Sequence, residues 1–233
     1  MCGRVAQYRS FVEYLDELDL QGDLFEGIDP APVARYNVAP RSMVQVLHRT
    51  EAGLCIELVR WGYKPFWSNL KDPEINARSE RLMTAKYWKP LMKRGRALLM
   101  IDGWYEWKKH PTDKKIKQPY LITPKNGRPM LVPILGEFPK ELGQVGDHDG
   151  FALVTAASES GMVDIHDRRP LALPASTARD WLNPDVEPAS AEALVLLQSF
   201  PADAFTWYPV GRAVGSPKNQ GAQLIEEITD PAL

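Results

Sequence analysis

The sequence predicts an α+β fold, with a single domain over residues 1–233 and a curved mixed β-sheet. Helical and strand-like segments do not alternate regularly, which argues against a doubly wound parallel sheet. No internal repeat, low-complexity stretch or break in composition marks a second domain. At 233 residues, the chain is long enough to bury a substantial core.

The N-terminal segment combines a strand with a capped helix. Ser10 and Glu13 have the spacing of a capping box, in which each side chain accepts a hydrogen bond from the backbone N–H of the other residue. Apolar residues at helical spacing follow, from Phe11 to Leu18. A short amphipathic helix is therefore expected after the first strand, and it anchors the N-terminus.

The remaining elements follow from apolar patterning and turn residues. Strands are predicted over 43–48, 54–61, 96–107, 120–123, 130–135, 151–156 and 205–210. Helices are predicted within 78–92, over 177–182 and over 189–198. The strand over 96–107 is expected to bend at Asp102-Gly103. Asn126-Gly127 favours the positive φ angles of a type I′ turn, so the strands on either side are expected to form a hairpin.

Composition excludes several classes of protein. The 28 basic and 30 acidic residues nearly cancel, so any nucleic-acid site must be a local basic patch. Two cysteines provide neither a disulfide framework nor a thiolate cage, so no metal and no cofactor is expected, and Cys55 is expected to pack within a strand. Apolar runs are shorter than the roughly 20 residues of a membrane span, and the N-terminus lacks signal-peptide character. We expect a cytoplasmic monomer that does not bind membranes.

Cys2 has the most specific chemistry in the chain. Methionine aminopeptidase removes Met1 when the next side chain is small, so the mature chain should begin with Cys2, a thiol beside a free α-amine. In short peptides a thiol has a pKa of roughly 8.5 and an α-amine one of roughly 7.7 to 8.0, so both groups are partly deprotonated near neutral pH. An aldehyde would form an imine with the amine and then a thiazolidine with the sulfur, whereas an ester or amide would meet a thiolate. A chance cysteine in a disordered end is the alternative.

Four short polar segments between apolar stretches supply further candidates. They are residues 35–40, 75–80, 102–107 and 164–170. Glu106 ends an apolar strand, where partial burial would raise its pKa and allow proton transfer near neutrality; a solvated or ion-paired carboxylate is the alternative. His166, with Asp164 and Asp167 close in sequence, suits a proton relay at pH 7, although a lone histidine is more often structural.

The segment 75–80 offers an amide and a guanidinium to one ligand. If it is extended, Asn76 and Arg78 point to the same side and suit an oxygen-rich or phosphate-bearing molecule. Alternatively, Arg78 pairs with Glu80 and Asn76 is a turn or cap residue. Tryptophans could also stack on unpaired bases while basic residues neutralise phosphates, although most are expected in the core. The candidates are Trp61, Trp67, Trp88, Trp104 and Trp107, with Arg4, Arg78, Arg81, Lys86, Lys89 and Arg168.

In this order, these segments resemble the SOS-response-associated peptidase (SRAP) family. The resemblance begins at Met1-Cys2-Gly3-Arg4 and covers nearly the whole chain. The other matching segments are 35–40, 61–62, 76–78, 102–107, 163–170, 213–215 and 218–221. The family fold implies a barrel-like β-sheet flanked by short helices. Residues 66–74 depart in length and composition from the family's bacterial pattern.

The resemblance implies a sensor of abasic sites in single-stranded DNA, which becomes covalently attached through Cys2 as a thiazolidine and shields the lesion. Asn76, Glu106 and His166 match the family's other active-site positions. Arg4, Arg78 and Arg168 resemble phosphate contacts, Pro40 and Trp67 resemble residues that wedge against or stack on bases, and Asn37 lies in a DNA-binding segment. A slower lyase activity by β-elimination, autoproteolytic exposure of Cys2, and association with the nucleoid on DNA are also implied.

Three rival functions stay open. A class II glutamine amidotransferase also begins Met-Cys-Gly and uses an N-terminal cysteine, although no synthetase domain is evident here. A cysteine peptidase would use Cys2 and His166 as a dyad. A noncatalytic single-strand-binding module would need neither side chain for chemistry.

Overall fold

The computed structural model describes residues 2–20, 28–110, 112–113, 115–159, 161–162 and 165–229, so Met1 and Asp164, both named above, lie outside the described residues. The strands are β1 (Val5–Gln7), β2 (Arg35–Val38), β3 (Met43–Thr50), β4 (Gly53–Arg60), β5 (Asn76–Arg78), β6 (Arg96–Ile101), β7 (Gly103–Lys109), β8 (Lys117–Pro124), β9 (Met130–Glu137), β10 (Gly150–Ala157), β11 (Arg168–Pro170) and β12 (Phe205–Pro209). The helices are α1 (Phe11–Glu17), α2 (Leu91–Arg94), α3 (Ala175–Leu182) and α4 (Pro188–Gln198).

The strands form two sheets. The first has the order β12-β8-β7-β1-β2, and the second has the order β11-β10-β9-β6-β3-β4, with β5 joined to β10. β5 runs parallel to β10 while β9 and β11 run antiparallel to it, so the second sheet is mixed. Within the described residues, both sheets are open. The α+β class is confirmed, but two open sheets stand where one curved, barrel-like sheet was predicted.

The apolar run 96–107 crosses from one sheet to the other. It bends at Asp102 as predicted, but β6 pairs with β3 and β9, whereas β7 pairs with β1 and β8. The Asp102 carboxylate fixes the corner because it accepts hydrogen bonds from Tyr8 N and Tyr14 Oη and pairs with Arg9. Gly103 is required here, because a Cβ at this position would lie 2.6 Å from the Ile122 carbonyl oxygen.

The predicted hairpin around Asn126-Gly127 is wrong. A turn does form, with Gly127 at φ 68° and its N–H donating to Pro124 O at 3.0 Å. Asn126 lacks the positive φ of a type I′ turn, and the flanking strands do not pair with each other. β8 pairs with β7 in the first sheet, and β9 pairs with β6 in the second. The two strands therefore lie in different sheets, as do β6 and β7 on either side of Asp102.

Apolar side chains fill three layers around the sheets. The helices pack on one face of the second sheet, where Leu98 and Met100 of β6 point toward them. Ala97 and Leu99 point the opposite way, into the layer between the sheets that also holds Cys2. A third, smaller cluster covers the outer face of the first sheet. Successive side chains of β6 point to opposite faces, so this strand contributes to two cores. Cys2 lies inside one of them.

The helices agree with the sequence in part. The Ser10–Glu13 capping box is present in both directions, as predicted. α3 and α4 begin within two residues of their predicted starts. The segment 78–92 is mainly turns, with a 3₁₀ turn at Ser79–Arg81 and only the start of α2. In the part of the chain that the structure describes, no helix is long and apolar enough to cross a membrane.

Candidate active site

Strand pairing brings Cys2 beside Glu106. β1 and β7 are antiparallel, with Val5 opposite Trp104 and with Tyr105 N donating to Arg4 O at 2.9 Å. The chain from Arg4 back to Cys2 therefore runs along β7 toward Glu106. Cys2 is fully buried. Burial, and then the charge of Glu106, raises the pKa of the Cys2 thiol well above its usual value.

Asn76 binds the backbone of Cys2 directly. β5 places it beside Leu153 of β10, and its side chain is buried. Asn76 Nδ2 donates to Cys2 O at 2.9 Å, which fixes the position of the Cys2 backbone. Asn76 Oδ1 is buried without a hydrogen-bond partner among the described residues. An acceptor left in this state costs free energy unless a ligand supplies a donor.

Glu106 has the properties of a proton-transfer group. Its side chain is 4% exposed, and Oε1 has no hydrogen-bond partner in the described part of the chain. Burial raises the pKa of Glu106 to about 7. The carboxyl therefore exists in both protonation states near neutral pH, which suits a general acid and base.

His166 is held in its neutral form. Its Nδ1 accepts from the backbone N–H of Arg168 at 3.0 Å, which places the ring proton on Nε2. Asp167 Oδ1 also lies 2.8 Å from Nδ1, but this carboxylate is 83% exposed, and the backbone N–H has a fixed direction. Burial lowers the pKa of His166 below its usual 6.5. At pH 7 the ring is therefore neutral and presents an N–H at Nε2.

An open groove of about 560 Å³ is lined by Asn76, by three cations and by the Glu74 carboxylate. Arg78, Arg81 and Lys86 line it. Lys86 also lies over the ring of Trp67, at 5.5 Å. Cationic walls with an aromatic neighbour suit an anionic, base-bearing chain.

Comparisons with known proteins identify the family. The family model of the SOS response associated peptidase (SRAP) matches residues 1–217. The chain belongs to the SRAP family. The abasic site processing protein YedK of Escherichia coli strain K12 is 44% identical to this SRAP protein over 98% of this chain and 100% of YedK. The abasic site processing protein HMCES of Rattus norvegicus is 28% identical over 97% of this chain and 75% of HMCES.

Solved structures share the SRAP protein's architecture. The crystal structure of a phage-related protein from Bordetella bronchiseptica has a TM-score of 0.79 and 36% identity, covering 94% of this chain and 99% of that chain. A protein from Bacteroides thetaiotaomicron has a TM-score of 0.74 at 18% identity, covering 97% and 100%, and this likeness concerns the fold alone. The sequence-based recognition of the family is confirmed.

Arg168 of the SRAP protein is already bound by other groups of the chain. Its guanidinium makes two contacts with the Glu80 carboxylate, at 2.7 and 3.1 Å, and donates to Thr155 O at 2.6 Å. Glu80 thus forms an ion pair with Arg168, whereas the alternative considered from sequence was an ion pair with Arg78. Thr155 gave no sequence signal, because its contact with Arg168 depends on the β10–β11 register. Phosphate binding by Arg168 stays a prediction and would compete with Glu80.

Arg4 and Asn37 of the SRAP protein hold the C-terminal segment. Arg4 donates to Asn37 Oδ1 at 2.6 Å and to Val214 O at 2.7 Å. Asn37 is buried, and its Nδ2 lies within hydrogen-bond distance of three carbonyl oxygens between residues 214 and 219. This geometry gives both residues a supporting role, and their contact with DNA stays a prediction.

The predicted base-contacting residues of the SRAP protein lie at the surface. Trp67 is 48% exposed and stacks on Tyr87, with ring centroids 5.4 Å apart, and Tyr87 was not among the residues selected from sequence. Pro40 is half-buried after β2. Trp61 and Trp104, by contrast, are core residues, as expected of most tryptophans.

Proposed function

We propose that this SRAP protein binds single-stranded DNA at an abasic site and forms a covalent thiazolidine with the lesion through Cys2, after removal of Met1. YedK and HMCES are both named abasic site processing proteins. The single observation that carries the proposal is the hydrogen bond from Asn76 to Cys2 O. It holds the Cys2 backbone where the Glu106 carboxyl, with a pKa of about 7, acts on the Cys2 thiol, and this supports the proposal.

The first bond would form between the Cys2 amine and the aldehyde carbon. A ring-opened abasic sugar exposes this aldehyde at C1′. The amine nitrogen adds to it to give a carbinolamine, and protonated Glu106 donates to the hydroxyl that leaves as water. The resulting iminium ion returns its N–H proton to the Glu106 carboxylate, which gives the imine and restores the acid. Glu106 can act in both directions because it exists in both protonation states near pH 7.

The second bond would form between the Cys2 sulfur and the imine carbon. The C=N electron pair moves to nitrogen, and the thiol proton is transferred to that nitrogen, so the thiazolidine differs from the free reactants by one water. The high pKa of the buried thiol keeps it protonated before this event. The amine, rather than a thiolate, is therefore the expected first nucleophile.

His166 would assist at the sugar. A neutral ring with Nε2–H can donate a hydrogen bond to a sugar oxygen. Transfer of a C2′ proton from the imine to the ionised form of Glu106, with departure of the 3′ phosphate, would give β-elimination, the slower lyase activity. Removal of Met1 by the chain itself is a further proposed activity, and methionine aminopeptidase can supply the same product.

The groove past Asn76 would carry the DNA backbone. Arg78, Arg81 and Lys86 lie along it, while the stacked pair Trp67–Tyr87 offers a ring face to an unpaired base. Because Arg168 is already paired, Arg78 is the stronger candidate for phosphate. A local cationic groove on a chain of net charge −2 predicts binding that weakens as salt increases. A cytoplasmic monomer that joins the nucleoid through DNA fits this proposal.

Intact-mass analysis tests the chemistry. Purified protein is mixed with single-stranded DNA containing one abasic site and is then denatured. The expected species is the chain without Met1 plus the DNA, minus one water. The matched control is Cys55→Ser, which removes the other thiol and should leave the adduct unchanged. An adduct that persists in Cys2→Ala, or that is missing from wild type, overturns the proposal.

Three further assays separate the rival functions. Release of glutamate from glutamine would favour an amidotransferase, and cleavage of unrelated peptides that requires Cys2 and His166 would favour a peptidase. Equal protection of abasic DNA by wild type and Cys2→Ala, with no adduct in either, would favour a noncatalytic binding module. We expect none of these results.

A further inference from the structure

The β3–β4 hairpin carries a second cluster of metal-ligand side chains, on other elements than Asn76, Glu106 and His166. His48 and Cys55 are directly opposite each other in the antiparallel register. Glu57 lies two residues after Cys55, so its side chain is on the same face of the hairpin. One potential ligand atom from each residue lies within 4.8 Å of the others.

The three side chains converge on one ring nitrogen. His48 Nε2 lies 3.1 Å from Glu57 Oε2 and 3.3 Å from Cys55 Sγ. A ring nitrogen carries at most one proton, so Nε2 can donate to the carboxylate or accept from the thiol, but it cannot do both. A cation among the three atoms would be bonded to nitrogen, oxygen and sulfur together.

Neighbouring groups fix two of these side chains. Glu57 Oε1 accepts the Gly143 backbone N–H at 2.6 Å, which leaves Oε2 directed at His48. The fully buried His48 ring stacks on Phe138, with centroids 5.3 Å apart and planes 18° apart. Hydrogen bonds and packing of this kind orient ligands in metal sites.

We propose that His48, Cys55 and Glu57 form a zinc site. Tetrahedral zinc with bonds of about 2.0 Å to nitrogen and oxygen and about 2.3 Å to sulfur places these ligand atoms roughly 3.3 to 3.6 Å apart. The observed distances of 3.1 and 3.3 Å from His48 Nε2 fit to within a few tenths of an ångström, and the Cys55 sulfur and Glu57 oxygen, which lie within 4.8 Å of each other, would have to approach by up to about 1 Å. On binding, the Cys55 thiol releases its proton to solvent, and the thiolate sulfur bonds to the metal.

The site would have three protein ligands and a water. Cys55 is only half-buried, so a fourth ligand can come from solvent. His48 Nδ1 has no hydrogen-bond partner among the described residues. Because such a partner improves affinity about 10- to 100-fold, zinc should bind this site more weakly than a fully supported one. The metal would join the hairpin to the segment that contains Phe138 and Gly143, and so stabilise the fold.

The test uses the reduced Cys2→Ala protein, because an N-terminal aminothiol itself chelates metals. Cobalt(II) is added first, and the near-ultraviolet absorption from thiolate-to-cobalt charge transfer is recorded. We expect this band to appear, to disappear when zinc is added, and to be lost in Cys55→Ser. Zinc should also raise the unfolding temperature.

Two matched variants complete the test. Glu57→Gln keeps the side-chain volume and should weaken zinc binding at least about 10-fold. His148→Ala removes an exposed histidine outside the cluster and should leave the affinity unchanged. No charge-transfer band, or zinc affinity that is the same with and without Cys55, would show that the three residues are only a hydrogen-bonded cluster.

Discussion

Glu106→Gln should change how the stability of the protein depends on pH. Burial raises the pKa of Glu106 from 4.5 to about 7, which corresponds to a free energy of about 3 kcal/mol between the two protonation states. The folded state binds this proton more tightly than the unfolded state does. The stabilisation is therefore fully present below about pH 4.5 and is lost as the pH rises through 7. Glutamine cannot ionise, so the variant should escape this loss.

Urea unfolding at pH 5 and pH 8 measures the effect. We expect the wild type to lose up to about 3 kcal/mol more stability than Glu106→Gln between these two values. Glu51→Gln, which changes an exposed carboxylate, should behave like the wild type. Parallel pH profiles for wild type and Glu106→Gln would refute the conclusion that the carboxyl is buried and poised near neutrality. In the same variant, DNA crosslinking at pH 7 should be about 100-fold slower.

Three other substitutions test contacts of the site and the sheet corner. Asn76→Ala should cost about 1–3 kcal/mol in urea unfolding and slow crosslinking, because it leaves the buried Cys2 carbonyl without its donor. Arg78→Ala should weaken single-stranded DNA binding, and the slope of log affinity against log salt should decrease by about 0.7. Gly103→Ala should destabilise the fold by about 1–3 kcal/mol, because its Cβ would lie 2.6 Å from Ile122 O.

Each substitution has a counterpart that should show no such effect. Gln144→Ala removes an exposed amide, and Arg94→Ala removes a guanidinium that is paired with Glu137 outside the groove. Gly211→Ala adds a Cβ where no atom lies within 4 Å. If a control variant changes its measurement as much as the test variant does, the contact named for that test is not its cause.

Local sequence predicted those elements whose stabilising contacts are local. The capping box of α1 joins residues three apart, so Ser10 and Glu13 were sufficient to predict it. The hairpin of β3 and β4 similarly depends on a turn at Gly53 and on neighbouring strands. The strands beside the Asn126-Gly127 turn form no hairpin, because β8 pairs with β7 and β12 while β9 pairs with β6 and β10.

In the candidate site, too, sequence predicted residue types but not the contacts that depend on distant strands. Residue chemistry selected Cys2, Asn76, Glu106 and His166, and the family resemblance placed them in one active site. Sequence did not show that Asn76 binds the Cys2 carbonyl, because β5 reaches that position only by pairing with β10. Sequence also suggested Arg78 as the ion-pair partner of Glu80. The partner is Arg168, because the β10–β11 register brings its guanidinium to that carboxylate.

The sequence by itself determined the α+β class and the family and selected Cys2 as the candidate nucleophile, because composition, periodicity and residue type are properties of the chain. Only the tertiary structure decided that the run 96–107 belongs to two sheets and that Cys2 lies between them. Only burial there gives Glu106 a pKa of about 7. The physical reason is that desolvation and strand register depend on residues far apart in sequence, which meet only after the chain has folded.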